Sequence, residues 1–237
     1  MGTDLDFVAR FAKAKNFDIR TRTVFVEGTS DVGLFYHAAK LAKEVKGVDL
    51  LGNELAIVAS GEGNDGGAAG VCRELITFKN LAKYCLLPDG QPKYRFLGLL
   101  DYDNAGRRAL TNLLRTDTDA LEYKDIIFLR PAMPHSPNRD PHALRTLFER
   151  CNTKYRQLDW ELEDLVSETL VTYLLDEFPY VLKKAIPVDD KVHREWTPDG
   201  KARLHQIVKK HAIYSDIEAV VHALRALCFY LGVRILE

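Results

Sequence analysis

Short apolar runs alternate with helical patterns through the first half of this 237-residue chain. The runs are rich in β-branched and aromatic residues, which is typical of strands buried on both faces of a sheet. Strands that alternate with helices pair in parallel through right-handed crossovers. The sequence therefore predicts an α/β protein with a mainly parallel, four-stranded sheet. The predicted strands are "RTVFVEG" at 22–28, "ELAIVASG" at 54–61, "YRFLGLLD" at 94–101 and "DIIFLRP" at 125–131.

Helix start and stop signals lie between these strands. After the first strand, Ser30 is a natural N-cap and Gly47 is a natural stop for one helix. Further helices are predicted from about Ala68 to Cys85 and from about Ala105 to Leu114.

The pattern changes beyond Pro131. The segment "PAMPHSPNRDPHAL" holds four prolines, and from about residue 142 the pattern is helical with no convincing strand. We therefore expect three parts along the chain. They are a helical lead-in at 1–21, an α/β domain at 22–135 and a helical extension at 136–237.

Charge and cysteine content limit the partners and the compartment. The formal net charge is −1, so a nucleic-acid partner would depend on local basic clusters and metal ions. The N-terminus has no apolar signal region, and no stretch reaches the roughly 18 apolar residues of a membrane span. Widely spaced cysteines without a zinc or disulfide pattern fit a reducing compartment, so the sequence predicts a cytoplasmic protein with no membrane partner. The cysteines are Cys72, Cys85, Cys151 and Cys228.

Two aspartates follow the third predicted strand, in "FLGLLDYDNAG" at 96–106. If strand geometry persists, Asp101 and Asp103 point the same way, and a divalent cation such as Mg²⁺ or Mn²⁺ would relieve their repulsion. A helix start is the alternative interpretation, with Asp103 or Asn104 as the N-cap of the helix that begins near Ala105. Both interpretations remain open at this point.

Acidic or glycine-rich turns follow three strands in succession. These turns are "VEGTSD", "SGEGND" and "LLDYDNAG". If the first and third strands are neighbours, Glu27 faces Asp101 and Asp103 at the rim where such sheets collect their sites. Three acids at one rim are costly unless a cation binds them.

The order of these motifs resembles the Toprim domain, the Rossmann-like α/β module of topoisomerases, bacterial primases and several nucleases. That family places a glutamate after its first strand, in a context like "EGxxD", and a "DxD" after its third strand. The resemblance covers about residues 22–132. It implies that Glu27 ligates metal or acts as a general acid and base, that Asp101 and Asp103 hold Mg²⁺, and that Asp31 is a further metal-site carboxylate.

Several of these residues also have a structural interpretation. Asp31 lies at a helix start and could serve the helix dipole. Ser60, Gly61 and Gly63 could form only a tight turn, or their backbone N–H groups could contact a phosphate or metal-bound water.

The later part of the chain resembles nucleases of the OLD (overcoming lysogenization defect) family. In that family an acidic segment after the Toprim core completes a second metal site, and a lysine follows near a helix start. Here "LDWELEDLVSETL" offers Glu161 and Glu163 as ligands, and "PDGKARLHQIVKKHA" offers Lys201 as the lysine that offsets transition-state charge. Alternatively, the acids lie on a solvated helix face and Lys201 is an ordinary surface lysine.

The resemblance implies a nuclease that cleaves DNA phosphodiester bonds with two Mg²⁺ or Mn²⁺ ions. A Toprim ribonuclease acting on RNA and a non-catalytic, metal-organised interaction module are the alternatives. OLD-family nucleases carry an ATPase domain, but this sequence has no G-x-x-x-x-G-K-[ST] loop. We therefore expect a separate regulatory chain such as an ATPase, and a role in anti-phage defence or DNA processing, and we leave homo-oligomerisation open.

Two further features are given less functional weight. The histidines show no recognisable metal-ligand spacing. The run "ERCNTKYRQLDW" could stack on and neutralise nucleic acid. We favour a solvated segment with Tyr155 and Trp160 packed inward.

Overall fold

A computed structural model describes residues 6–61 and 65–235 of the chain. Its main sheet has four strands that are all parallel, in the order β2-β1-β3-β4, which confirms the predicted α/β class. Each strand lies within a run predicted from the sequence. The strands are β1 (Arg22–Val26), β2 (Leu55–Ala59), β3 (Arg95–Leu100) and β4 (Ile126–Phe128).

The helices that follow these strands also agree with the sequence patterns. The first of them begins at Thr29 with Gly28 as its N-cap, so the prediction of Ser30 as the N-cap is wrong. The helix starts earlier because the Asp31 carboxylate accepts a hydrogen bond from Gly28 N. The predicted stop is confirmed, since Gly47 follows Lys46 as a C-cap in the left-handed conformation (φ 71°). The helices are α1 (Phe7–Ala14), α2 (Thr29–Lys46), α3 (Gly67–Ala82), α4 (Asn104–Thr116), α5 (Pro141–Cys151), α6 (Glu168–Glu177), α7 (Pro198–His211) and α8 (Glu218–Leu231).

Apolar layers cover both faces of the sheet. One face packs against α1, α3 and α4 around Phe25, Phe78 and Phe96, whose ring centroids lie 5.2–5.8 Å apart. The other face packs against α2, and α8 lies beside α2 in the same core. The C-terminal segment therefore contributes to the layer that covers the sheet.

One expectation for the C-terminal segment is wrong. The predicted helical extension contains an antiparallel hairpin of β5 (Leu182–Val188) and β6 (Lys191–Trp196). Pro187 and a largely exposed β5 hide the alternation that signals a strand. The signal that was available is the two-residue turn, in which Asp189 adopts a left-handed conformation (φ 56°).

The strand order determines where the acids lie. Because β1 and β3 are parallel neighbours, their carboxyl ends lie side by side, and Glu27 and Asp101 directly follow them. The predicted acidic rim required the first and third strands to be neighbours, and β1 and β3 are neighbours in the sheet. Within residues 6–61 and 65–235, no helix combines the length and the apolar content needed to cross a bilayer.

Candidate functional site

Three acids, which we call the strand-end carboxylates, meet at the carboxyl ends of β1 and β3. They are Glu27, Asp31 and Asp101, and they line one small cavity. Glu27 Oε1 accepts a hydrogen bond from the backbone N–H of Asp101 (3.2 Å), and Asp31 Oδ2 accepts one from Gly28 (2.9 Å). About 10 Å³ of the cavity is open to the centre of a water-sized sphere, which is room for about one water or ion.

Burial and mutual repulsion make these three acids weak. Burial raises the pKa of Glu27 to about 7, and the charges of Asp31 and Asp103 add to the effect. The pKa of Asp31 rises to about 6 through burial and the charge of Glu163. Burial, followed by the charge of Glu27, raises the pKa of Asp101 well above its ordinary value. Without a cation, this corner of the site therefore tends to hold protons.

Asp103 lies in the cap of α4. Its Oδ1 accepts a hydrogen bond from Gly106 N (2.7 Å), so the capping interpretation of this aspartate is confirmed. A Cβ on Gly106 would overlap the carbonyl oxygen of Asp101, so glycine is required for the helix to start this close to the strand end. The charge of Asp103 still acts on Glu27, and its metal role stays a prediction.

A second acidic group, the turn carboxylates, lies at the short 3₁₀ turn Leu162–Leu165. Its members are Glu161, Glu163 and Asp164. Lys201 Nζ forms ion pairs with Glu161 Oε2 (2.8 Å) and Glu163 Oε2 (3.6 Å), and His205 Nε2 lies 3.0 Å from Glu163 Oε1. These contacts place Lys201, near the start of α7, beside both of the acids that were predicted with it.

Basic partners change the acidity of these groups. Burial favours protonation of Glu163, but the hydrogen bond from His205 and the charge of Lys201 outweigh it and lower the pKa of Glu163 to about 2. Burial still raises the pKa of Glu161, although Lys201 opposes it. The pKa of Lys201 is raised by Glu163 and Glu161 despite burial, so its ammonium group stays charged at neutral pH.

A buried network fixes the turn to the hairpin. Asp164 Oδ2 accepts a hydrogen bond from Glu161 N (2.9 Å) and lies 2.7 Å from His193 Nδ1, and Asp164 Oδ1 accepts from Arg194 N (2.9 Å). Both Asp164 and His193 are buried. The β-hairpin that the sequence did not predict is therefore the element that positions the turn carboxylates.

A backbone bridge joins the two acidic groups. Tyr102 N donates to Trp160 O (2.8 Å), and Trp160 N donates to Tyr102 O (3.0 Å). Tyr102 lies between the two aspartates of the third strand, and Trp160 directly precedes Glu161. Acids that are far apart in the sequence are thus held together by one pair of backbone hydrogen bonds.

The glycine turn after β2 is tied to the same rim. Ser60 is buried, its N–H donates to Val26 O (2.9 Å), and its hydroxyl donates to the carbonyl oxygen of Glu27 (3.4 Å). Gly61 follows it, and the backbone N–H of Gly67 also donates to Glu27 O (3.0 Å). The turn holds the backbone of Glu27, and its contact with phosphate stays a prediction. Gly63 lies outside the described residues.

Sequence reasoning missed two histidines of the site, His193 and His205. A signal for His205 was present, because Lys201 and His205 are four residues apart on one helix and therefore share a face. No comparable local signal links His193 to Asp164, since the pair depends on how the hairpin docks.

The donor chemistry of the site fits a hard divalent cation. All the acids at the rim offer carboxylate oxygens, which Mg²⁺ and Mn²⁺ prefer, and the small cavity between three of them matches one ion. Several of their oxygens are occupied by backbone N–H groups or basic side chains. Accordingly, in the described part of the chain, no three His, Cys, Asp or Glu side chains form a ready metal cage.

The fold and the site define an α/β protein with a parallel, Rossmann-like sheet and an acidic cluster at its carboxyl edge. No protein-family model matches this chain, and comparisons with curated proteins and with solved structures found no significant match.

Proposed function

We propose that this protein is a Toprim-type nuclease that cleaves DNA phosphodiester bonds with Mg²⁺ or Mn²⁺. The observation that carries the proposal is the meeting of Glu27, Asp31 and Asp101 around a cavity of ion size, with Glu163 close enough to act on Asp31. Carboxylates gathered from separate strands and turns, and poorly compensated by basic groups, are typical of sites that bind divalent cations.

The two acidic groups correspond to two ion sites. Glu27, Asp31 and Asp101 would hold one ion, with Asp103 beside them, and Glu161 and Glu163 would hold the second. When bound, such ions supply Lewis acidity toward the phosphate oxygens and activate water.

Lys201 is the group of this chain suited to the phosphate itself. Its side chain is 36% exposed, and its neighbours keep it protonated. An ammonium at the edge of the site would offset the negative charge that develops on the reacting phosphate. His205 holds Glu163 in place, and His193 acts through Asp164 to position the turn.

A regulatory chain remains part of the proposal. The 237 residues contain no phosphate-binding loop of the ATPase type. We therefore propose, as the sequence predicts, a separate regulatory chain such as an ATPase. The anti-phage or DNA-processing role is carried over by analogy with the OLD family.

Plasmid cleavage tests the proposal directly. Supercoiled DNA and a structured RNA are incubated with purified protein in Mg²⁺, Mn²⁺ or EDTA, beside the variants Glu27→Gln and Asp101→Asn. Glu44→Gln on the exposed face of α2 is the matched control. We expect metal-dependent nicking that the first two variants lose by about 100-fold or more and that the control retains.

The other outcomes distinguish the alternatives. Cleavage of RNA alone would make the protein a ribonuclease. Binding of Mg²⁺ by calorimetry, without cleavage of either nucleic acid, would contradict the nuclease and leave an interaction module. Calorimetry also counts the bound ions. If the wild type binds one ion and Glu161→Gln binds it equally well, the proposed second metal site is contradicted.

A further inference from the structure

A larger cavity, the arginine pocket, lies beside the acidic site. It has a volume of about 530 Å³, which is in the range of small-molecule and nucleotide sites. Tyr102 lines this cavity, while the preceding residue, Asp101, lines the small cavity between the strand-end carboxylates. The two cavities are therefore one residue apart along the chain. Four arginines line the larger one: Arg107, Arg130, Arg145 and Arg156.

Acidic side chains neutralise only part of this positive charge. Arg145 Nε pairs with Glu149 Oε1 (2.8 Å), which also lines the pocket, and Arg107 Nη1 pairs with Asp159 Oδ1 (2.8 Å). The remaining lining acid, Glu122, has its pKa raised by burial. Arg130 and Arg156 form no ion pair with any residue in the described ranges.

Arg130 is the unusual member of the set. It is only 8% exposed, and its guanidinium lies over the ring of Tyr102, 3.5 Å from the centroid. Nη2 donates to the carbonyl oxygen of Tyr155 (3.1 Å), but Nε is buried with no hydrogen-bond partner among the described residues. The charge of Glu122 acts on Arg130 without forming an ion pair with it. A buried cation with an unused donor is costly, and an anion in the pocket would compensate the charge and the donor more fully.

We propose that the arginine pocket binds the phosphate group of a nucleotide. Guanidinium groups match phosphate oxygens with paired, charge-assisted hydrogen bonds, and the pocket is larger than a bare phosphate requires. The choice of ligand rests on the proposed function, because a strand cleaved at the strand-end carboxylates carries further phosphates on either side of the cleaved bond, and Tyr102 of the pocket directly follows Asp101. A free nucleotide would present the same chemistry.

Arg156 offers the cleanest test, because it is exposed and its side chain has no hydrogen bond or ion pair within the described part of the chain. Arg156→Glu is compared with Arg150→Glu, which reverses an exposed arginine of α5 outside the pocket. Arg130→Lys keeps the buried positive charge but replaces the planar guanidinium, which can donate paired hydrogen bonds to phosphate, with an ammonium group. Melting curves verify that all three variants fold.

Binding is measured in EDTA, so the result does not depend on cleavage. Fluorescence anisotropy follows a short labelled DNA duplex and, separately, labelled AMP. For the DNA we expect Arg156→Glu to weaken binding by roughly tenfold and to reduce the salt slope by about one. Arg130→Lys should give a smaller loss, and Arg150→Glu should bind like the wild type.

Each outcome decides the proposal. Weaker DNA binding in Arg156→Glu than in Arg150→Glu identifies a backbone phosphate as the ligand, even if the wild type cleaves nothing. The same pattern for AMP alone identifies a free nucleotide. Equal binding of both ligands by Arg156→Glu, Arg130→Lys and Arg150→Glu would overturn the proposal, while plasmid cleavage by the wild type would still support the nuclease.

Discussion

The two acidic groups of the site contain the same residue types and behave differently. No strand-end carboxylate forms an ion pair with any residue in 6–61 or 65–235, whereas each turn carboxylate has a basic partner. Burial raises the pKa of Glu27 to about 7, but the pKa of Glu163, which has two basic partners, falls to about 2. Burial alone therefore does not determine the pKa of these acids; basic partners, hydrogen bonds and neighbouring carboxylates shift it as well.

The intermediate cases support this interpretation. Glu161 has one cation, Lys201, and Asp164 has one histidine, His193, yet burial keeps the pKa of both acids raised. A single basic partner does not offset burial at Glu161 or Asp164, whereas Lys201 and His205 together do so at Glu163. The strand-end carboxylates form no ion pair among the described residues, and the charge of Lys201 offsets only part of the rise in the pKa of Glu27. They are therefore the group that gains most from an added divalent cation.

Glu163→Gln gives the largest expected effect. The substitution removes the buried carboxylate that pairs with both Lys201 and His205. We expect a loss of about 3 kcal/mol in the free energy of unfolding, because both partners lose this counter-charge. Urea denaturation at pH 7 in EDTA measures it. Glu44→Gln, which removes an exposed carboxylate 3.8 Å from Lys40, should cost less than about 0.5 kcal/mol. Equal effects of the two substitutions would show that the partners of Glu163 contribute nothing to stability.

Gly106→Ala is expected to disturb the strand-end carboxylates and to leave the turn carboxylates in place. The new Cβ would push on the carbonyl oxygen of Asp101, and we expect a loss of about 2 kcal/mol and of metal-dependent stabilisation. Gly33→Ala is the control, since no atom lies within 4 Å of its Cβ and alanine favours helix. Thermal melting with and without Mg²⁺ measures both. If Gly106→Ala melts like Gly33→Ala and keeps its Mg²⁺ response, Asp101 is not held by this contact.

The sequence was sufficient to predict the strand-end carboxylates, and Lys201 beside the turn carboxylates, but not the histidine partners His193 and His205. Glu27 and Asp101 follow strands whose apolar composition is unmistakable, and parallel pairing then brings their ends together. The link between Asp164 and His193 crosses 29 residues and depends on a hairpin whose β5 strand is mostly exposed. Exposed strands have little hydrophobic alternation, so the two-residue turn is the local signal of the hairpin, and its contact with Asp164 has no local signal.

The backbone bridge between Tyr102 and Trp160 is a second contact that the sequence did not predict. The sequence places Tyr102 beside the aspartates and predicts that Trp160 is packed inward, and Trp160 is 2% exposed. Nothing in either segment indicates that their backbones pair. Local chemistry can therefore be predicted from sequence here, whereas the backbone pairing of Tyr102 with Trp160 cannot.

The pH dependence of stability should separate the strand-end carboxylates from Glu163. Because the folded-state pKa values of Glu27 and Asp31 are raised to about 7 and about 6, the folded state binds more protons than the unfolded state between about pH 4 and 7. Stability in EDTA therefore falls as pH rises through this window. Glu163 has the opposite sign, and its contribution is present above about pH 4.5 and is lost toward pH 2.

Glu27→Gln is the variant that isolates this effect. Urea denaturation of wild type and variant at pH 5 and pH 8 in EDTA should show a smaller pH difference in the variant. Added Mg²⁺ should stabilise the wild type more at pH 8 than at pH 5, because cation binding needs the ionised carboxylates. An identical pH difference in wild type and variant would contradict the assignment of this titration to Glu27.

Asp103→Asn has the smallest expected effect on stability, and it separates the capping role of Asp103 from its predicted metal role. Asparagine caps a helix as well as aspartate does, so the bond from Gly106 N to residue 103 should persist and stability should change by less than about 0.5 kcal/mol. Asp103→Ala, which removes the cap, should cost about 1 kcal/mol. Cleavage assays on the two variants then divide the roles of Asp103. If Asp103→Asn loses cleavage while its stability is unchanged, the negative charge of Asp103 acts on the metal ion. Full cleavage in that variant would mean that the aspartate after Tyr102 serves the helix alone, and that Asp101, Glu27 and Asp31 hold the ion without it.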